Sequence, residues 1–250
     1  MVFSSIPFLF YFLPCVLLCY FLVPAKGRNV LLLAASLLFY TWGEPIYVLL
    51  MIASILIGYG SGLLLEASLT KPRRILKPKL VLGTAITLFV GIFVFFKYTS
   101  FLIDNFNAVT GLSVKFLQIA LPIGISFYTF QIVSYLIDVY RGEAKAQRNI
   151  ISLALYVSMF PQLIAGPIVR YKSIDGELKE RRISATEVEA GIYRFVIGLA
   201  KKVLIANQLG ALCETFRGTT EPSVLFYWLY AIAFCLHIYF DFSGYSDMAI

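Results

Sequence analysis

Val81–Phe96 reads VLGTAITLFVGIFVFF and contains no charged residue. Val30–Tyr40, VLLLAASLLFY, has the same character. A helix that is apolar on every face is buried in a large core or in a bilayer. A membrane β-strand would instead alternate apolar and polar residues over roughly ten positions, and neither run alternates. A helix also satisfies its own backbone hydrogen bonds where no water is present. Around these runs, 60% of the 250 residues are hydrophobic and 14% are charged, with a mean hydropathy of +0.83. Soluble domains carry roughly 25% charged residues, so too little polar sequence is available to coat a water-soluble surface. An ordinary cytosolic enzyme, a disordered tail and a collagen-like fibre are excluded. The expected architecture is an all-α, polytopic transmembrane helical bundle forming one membrane domain over residues 1–250.

The spans follow from the apolar runs. Ile6–Val23, Asn29–Trp42, Ile46–Leu65, Leu80–Phe96 and Phe116–Ile137 are the first five, with a turn at Gly43-Glu44-Pro45 and mixed or charged loops at Lys97–Lys115 and Asp138–Arg148. Gly58 and Gly62 form a small-xxx-small pair that admits a close neighbour helix. The net charge of +7 does not point to nucleic acid, because the basic residues sit in short clusters between apolar runs. Lys26/Arg28, Lys71–Lys79 and Arg141–Arg148 are assigned to the cytoplasmic side by the excess of positive residues there. This orientation puts the amino-terminus outside the membrane. The four cysteines have neither disulfide nor zinc spacing and read as buried free thiols; no metal site is expected.

Asn149–Val169 breaks the alternation. It is uncharged and long enough to cross, yet basic sequence flanks both ends. Phe160-Pro161-Gln162 and Ala165-Gly166-Pro167 interrupt a helix. A helix that enters, breaks and returns satisfies both observations, provided protein or a water-filled cavity solvates the irregular backbone. Pro161, Gln162, Gly166 and Pro167 are therefore candidate tunnel-lining residues. Beyond it, Ser184 and Glu187 have capping-box spacing ahead of Gly191–Gly210, where Lys201-Lys202 interrupts an apolar run. Lysine at the centre of a lipid-exposed helix costs a few kcal/mol, so this pair belongs at an interface or a wet cavity. Pro222 marks a turn before the last run, Ser223–Ile250.

That last run carries the densest chemistry. His237 to Asp247, HIYFDFSGYSD, holds two carboxylates, two serines, two tyrosines and the sole histidine of the chain. Ionisable residues at membrane depth face a bundle interior and mark a pathway or a site. His237 and Asp241 lie one helical turn apart, a spacing compatible with a carboxylate-held general base or with a structural histidine.

Tyr239–Ile250, YFDFSGYSDMAI, closely resembles the signature of bacterial membrane-bound O-acyltransferases of the alginate O-acetyltransferase type. It is joined in the same order by Leu121–Phe130 (LPIGISFYTF), Tyr135–Arg141 (YLIDVYR), Met159–Tyr171 (MFPQLIAGPIVRY) and Gly198–Ala206 (GLAKKVLIA). VFSSIPFLFYFLP near the start and FYTWGEP also look like that branch, so the resemblance covers essentially the whole chain. It implies a many-helix fold around a polar funnel. An acetyl group would pass from a cytoplasmic donor, acetyl-CoA, to hydroxyls of an exported polysaccharide, through a periplasmic or extracellular partner protein in some branches. No bound cofactor and no nucleic acid are implied; the other partner is the bilayer.

The family histidine follows the signature by a few dozen residues and is expected after Ile250. His237 precedes the signature and does not inherit the role. The chain is thus expected to be the amino-terminal part of a longer enzyme and inactive alone. Asp241, Ser243, Tyr245, Ser246 and Asp247 are further candidate tunnel-lining residues that would orient the missing base. Arg170, Lys201 and Lys202 are candidate donor-facing cations. From residues alone, a transporter or flippase with a polar intramembrane pathway fits the broken helix and the charges as well.

Overall fold

The computed structural model describes residues 4–70, 76–115, 120–163, 166, 169–179, 181, 183–219 and 223–249. Among them the chain is helical, with four helices long and apolar enough to cross a membrane. The protein is a multi-pass, all-α membrane protein. Lys71, Arg73, Arg74, Pro167, Pro222 and Ile250, which the sequence reading invoked, lie outside the described residues.

Two compact units divide the chain. The first comprises Cys19–Ile164 and Ile168–Arg181, and the second Met1–Leu18, Ala165–Pro167 and Arg182–Ile250. The boundary falls within α1 (Leu13–Leu22), which a π-helical turn, Phe8–Phe12, precedes.

In the first unit, α2 (Arg28–Gly43), α3 (Val48–Thr70), α4 (Pro78–Thr110) and α5 (Ile125–Tyr140) surround one core that includes Met51, Ile55, Phe89, Tyr128, Ile132 and Tyr135. The glycine pair in α3 is where α5 comes closest. A Cβ on Gly58 would lie 2.6 Å from Ile132 Cγ2, and one on Gly62 2.5 Å from Tyr135 Oη. Glycine here removes the atoms that would hold the helices apart.

Three sequence expectations are corrected by the structure, the first two in this unit. First, Lys97–Lys115 is not a loop up to Thr110, because α4 continues to that residue. No proline or glycine interrupts 97–110, and the hydroxyls or amides of Thr99, Asn105 and Thr110 donate to carbonyls one turn back. Lys97 Nζ lies 5.3 Å from the ring centre of Phe93 and 5.7 Å from that of Tyr98. The helix stops at Gly111, whose φ of 72° suits a C-terminal cap. At 1.5 Å per residue α4 is about 50 Å long, beyond the roughly 30 Å hydrocarbon layer. Second, of the expected fifth span, residues 116–119 lie outside the described residues, and α5 begins at Ile125, after Gly124 turns the chain at φ 77°. It runs to Tyr140, so Asp138 is a buried helical residue and not part of a loop. Third, Cys15, Cys19 and Cys235 are exposed and only Cys213 is buried. On a membrane helix the outer surface meets lipid, so an apolar thiol loses nothing there.

The broken segment is present. α6 (Ile150–Ser158), capped by the Asn149 side chain 2.9 Å from Ile151 N, ends at Met159, and a single turn, α7 (Phe160–Leu163), follows. Pro161 has no N–H to donate and its ring would collide with the preceding turn, so the helix restarts. The Phe160 N–H freed by the restart donates to Ser36 Oγ of α2 at 3.2 Å.

α8 (Tyr171–Lys179) is anchored by its first residue. Tyr171 Oη donates to Asp175 at 2.7 Å and accepts from Gln147 Nε2 at 2.8 Å. Burial, with Asp175 beside it, pushes the Tyr171 hydroxyl well above the ordinary phenol range, so it remains a donor.

Candidate functional site

The second unit is built on a helical hairpin. α9 (Ala185–Ala200), a π-helical segment Lys201–Ala206 and α10 (Asn207–Arg217) form one continuous arm. α11 (Val224–Ala249) packs against all three parts. The arm starts with a complete capping box: Glu187 N donates to Ser184 Oγ, and Ser184 N donates to Glu187 Oε2. At about 50 Å, its 33 residues outrun the hydrocarbon layer.

The arms touch backbone to backbone at Gly198 and Gly244. A Cβ on Gly198 would sit 2.6 Å from the Gly244 carbonyl oxygen, and one on Gly244 would sit 2.7 Å from that of Gly198. Asp241 and Asp247 each lie three residues from Gly244, so the glycine contact sets both carboxylates against the opposite arm. Lys201 Nζ donates to Asp247 Oδ2 at 2.6 Å and to Ser243 Oγ at 3.1 Å. Lys202 Nζ pairs with Asp241 Oδ1. Arg194 Nε reaches the other oxygen of Asp247 at 3.3 Å.

The π-helical segment explains how adjacent lysines both reach α11. In an α-helix neighbours diverge by about 100°. The wider turn, in which Asn207 N–H bonds back to the Lys202 carbonyl, shifts the face of the arm just where the lysines lie. Such turns frequently occur at functional sites. The segment also positions the Ala206 carbonyl, 2.8 Å from His237 Nδ1. A carbonyl can only accept, so Nδ1 carries the proton. The imidazole lies over Gly210, where a Cβ would be 2.9 Å from its Cε1.

The candidate residues therefore distribute as follows. Lys201, Lys202, Asp241, Ser243 and Asp247 form one polar contact inside the hairpin, while Tyr245 and Ser246 are half-buried on the same helix. The lysines are held by carboxylates and do not stand as isolated cations. In the first unit, Pro161 is the second residue of α7 and Gln162 is buried beside it, and Arg170 is exposed ahead of α8. Gly166 is buried in the second unit. Sequence reading overlooked Arg194. Its signal was the seven-residue spacing to Lys201, two turns along one face.

Comparison with characterised proteins follows this geometry. No family model matches the chain. Two proteins named "Probable alginate O-acetylase AlgI" match it over its whole length. The one from Azotobacter vinelandii is 41% identical over 254 residues, 50% of that protein. The one from Pseudomonas aeruginosa is 42% identical over 254 residues, 48% of that protein. A peptidoglycan O-acetyltransferase of Helicobacter pylori is 32% identical over 283 residues, with all of this chain and 53% of that protein covered. The chain spans about half the length of the curated relatives it matches.

Proposed function

The chain belongs to the membrane-bound O-acyltransferase family, on its alginate O-acetylase branch, and from that premise we propose that the protein is a membrane O-acetyltransferase acting on an exported polysaccharide. One observation supports this over transport. The two segments singled out by resemblance, GLAKKVLIA and YFDFSGYSDMAI, are joined on one membrane-length hairpin by Lys201–Asp247 and Lys202–Asp241. Pairing of this kind holds charges in fixed positions, as an acyl transfer away from bulk water requires.

The reaction is an ester exchange. The acceptor hydroxyl oxygen attacks the acetyl carbonyl carbon, a C–O bond forms and the thioester C–S bond breaks. The hydroxyl proton leaves through a base and ends on the departing thiolate. Acetyl-CoA on the cytoplasmic side of the inner membrane is the donor, with the amino-terminus outside. Asp241, Ser243, Tyr245, Ser246 and Asp247 line the polar path on the hairpin, and Lys201 and Lys202 offer fixed positive charge to the donor or to the developing oxyanion. Pro161, Gln162, Gly166 and Pro167 remain proposed lining residues, and Arg170 a proposed donor contact. His237 is not assigned as base, because it precedes the YFDFSGYSDMAI signature and does not match the family histidine. A periplasmic or extracellular protein completes delivery to the polymer.

The test is incubation of membranes containing the complete protein with acetyl-labelled CoA and exported polysaccharide. Label in alkali-labile esters on the polymer is the expected result. Movement of polymer or donor across the membrane without ester formation would establish transport and overturn the proposal.

A further inference from the structure

Three side-chain oxygens of the first unit are buried without a hydrogen-bond partner among the described residues: Tyr128 Oη, Gln131 Oε1 and Asp138 Oδ2. All three belong to α5, and their residues are 0%, 2% and 5% exposed. Such an atom carries the full desolvation cost of its group unless something bonds it. Three on one helix call for a common cause.

Their placement supplies one. At about 100° per residue, positions 128, 131, 135 and 138 fall within an arc of about 80°. The four side chains therefore form one stripe on the buried side of α5. Tyr135, between the others, is fully buried too. Its Oη accepts from Gln147 N at 3.0 Å, and its own O–H meets no acceptor among the described residues. Ionisable groups inside a membrane bundle pair with one another or mark a polar pathway. No ion pair engages Asp138 among the described residues.

The length of the stripe decides which ligand fits. A single metal ion needs its oxygen ligands within about 2.6 Å of one centre. Gln131 and Asp138 lie two turns apart, about 10 Å along the axis, and both side chains lean toward the N-terminus, so they cannot share one ion. An apolar ligand would leave the three oxygens unbonded. Water molecules about 2.8 Å apart can follow the stripe, and a buried water typically bonds about three polar groups that otherwise lack partners.

We propose that the buried side of α5 binds a file of water molecules, held by Tyr128, Gln131, Tyr135 and Asp138. The hydroxyls donate and accept, and the amide and carboxyl oxygens accept. The site stands apart from the acetyltransferase reading: none of these residues belongs to the hairpin, and its ligand is water, so the two can fail separately.

The test is X-ray hydroxyl-radical footprinting of the complete protein in nanodiscs, in water enriched in heavy oxygen. Radicals formed from bound water label the side chains that touch it. Tyr128 and Tyr135 should take up heavy oxygen about tenfold or more faster than Phe89, a ring of the same core that is 1% exposed. Gln131→Leu and Asp138→Leu should each cut the uptake at Tyr135, which lies between them, to about half or less. Tyr128→Phe removes only the hydroxyl. With water bonded there the variant melts below wild type, whereas loss of a dry, unpartnered hydroxyl removes a cost and raises the midpoint. Uptake at both tyrosines no faster than at Phe89, unaltered uptake in the leucine variants, or Tyr128→Phe melting at or above wild type overturns the proposal. If a leucine variant fails to fold, the wild-type footprint and the Tyr128→Phe melt decide.

Discussion

Substituting Gly198 with alanine tests the hairpin most directly. The new Cβ would lie 2.6 Å from the Gly244 carbonyl oxygen and 2.9 Å from Met248 N. Both are backbone atoms of a helix, so neither can rotate away. Ordinary contact begins near 3.4 Å, which requires the arms to separate by about 0.8 Å. A gap of that size forfeits roughly a quarter to a half of the dispersion energy of each facing pair. Overpacking of this kind costs about 1–3 kcal/mol. The same displacement strains the 2.6 Å Lys201–Asp247 bond, although a flexible lysine can follow part of the way. Gly191 is the control on the same helix, because nothing lies within 4 Å of a Cβ there. Gly191→Ala should stabilise by up to about 1 kcal/mol through helix propensity. Thermal melting in detergent, followed by circular dichroism, should move the two variants in opposite directions. Gly198→Ala melting at or above wild type would refute the close approach of the arms.

The same contrast applies to α3: Gly62→Ala should destabilise against Tyr135, whereas Gly60→Ala, with open space around it, should be neutral or stabilising in the same melt. Ser36→Ala removes the acceptor of the Phe160 N–H at the broken helix and should cost about 1–3 kcal/mol; an unchanged denaturation midpoint would show that the break is satisfied otherwise. His237→Ala should lower stability by a similar amount through the orphaned Ala206 carbonyl while leaving acetyl transfer per folded molecule intact, and loss of turnover in a folded variant would make His237 catalytic. Lys202→Met strands Asp241 on a membrane helix and should cost up to about 3 kcal/mol, while Lys202→Met with Asp241→Leu should recover most of it; a double variant no better than the single one would argue against the pair.

That certain residues of the candidate site need partners was legible from the sequence. Two adjacent lysines and two carboxylates in apolar runs are costly, and cost of that kind signals a partner or a polar cavity. Their mutual pairing was not legible. Asp241 and Asp247 follow Lys201 and Lys202 by about forty residues, and only the register of two helices decides which cation meets which anion. The π-helical turn was equally hidden, since KKVLIA has no residue that forbids an α-helix. Lys97–Thr110 misled because polar residues resemble a loop until their hydroxyls and amides are seen bonded to carbonyls one turn back.

By itself the sequence determined the solvent. Its apolar runs leave too little polar surface for water, and backbone groups in lipid must then pair within helices. It also determined the break at Pro161, because proline lacks an N–H to donate there. Only the tertiary structure decided which polar groups meet. Ser36 takes the freed amide of Phe160, Ala206 takes the proton of His237, and the Gly198–Gly244 contact draws Lys201 and Lys202 onto Asp247 and Asp241. The physical reason is range. Helix and solvent preferences act within a few residues, whereas a hydrogen bond between helices depends on packing to within a few tenths of an ångström.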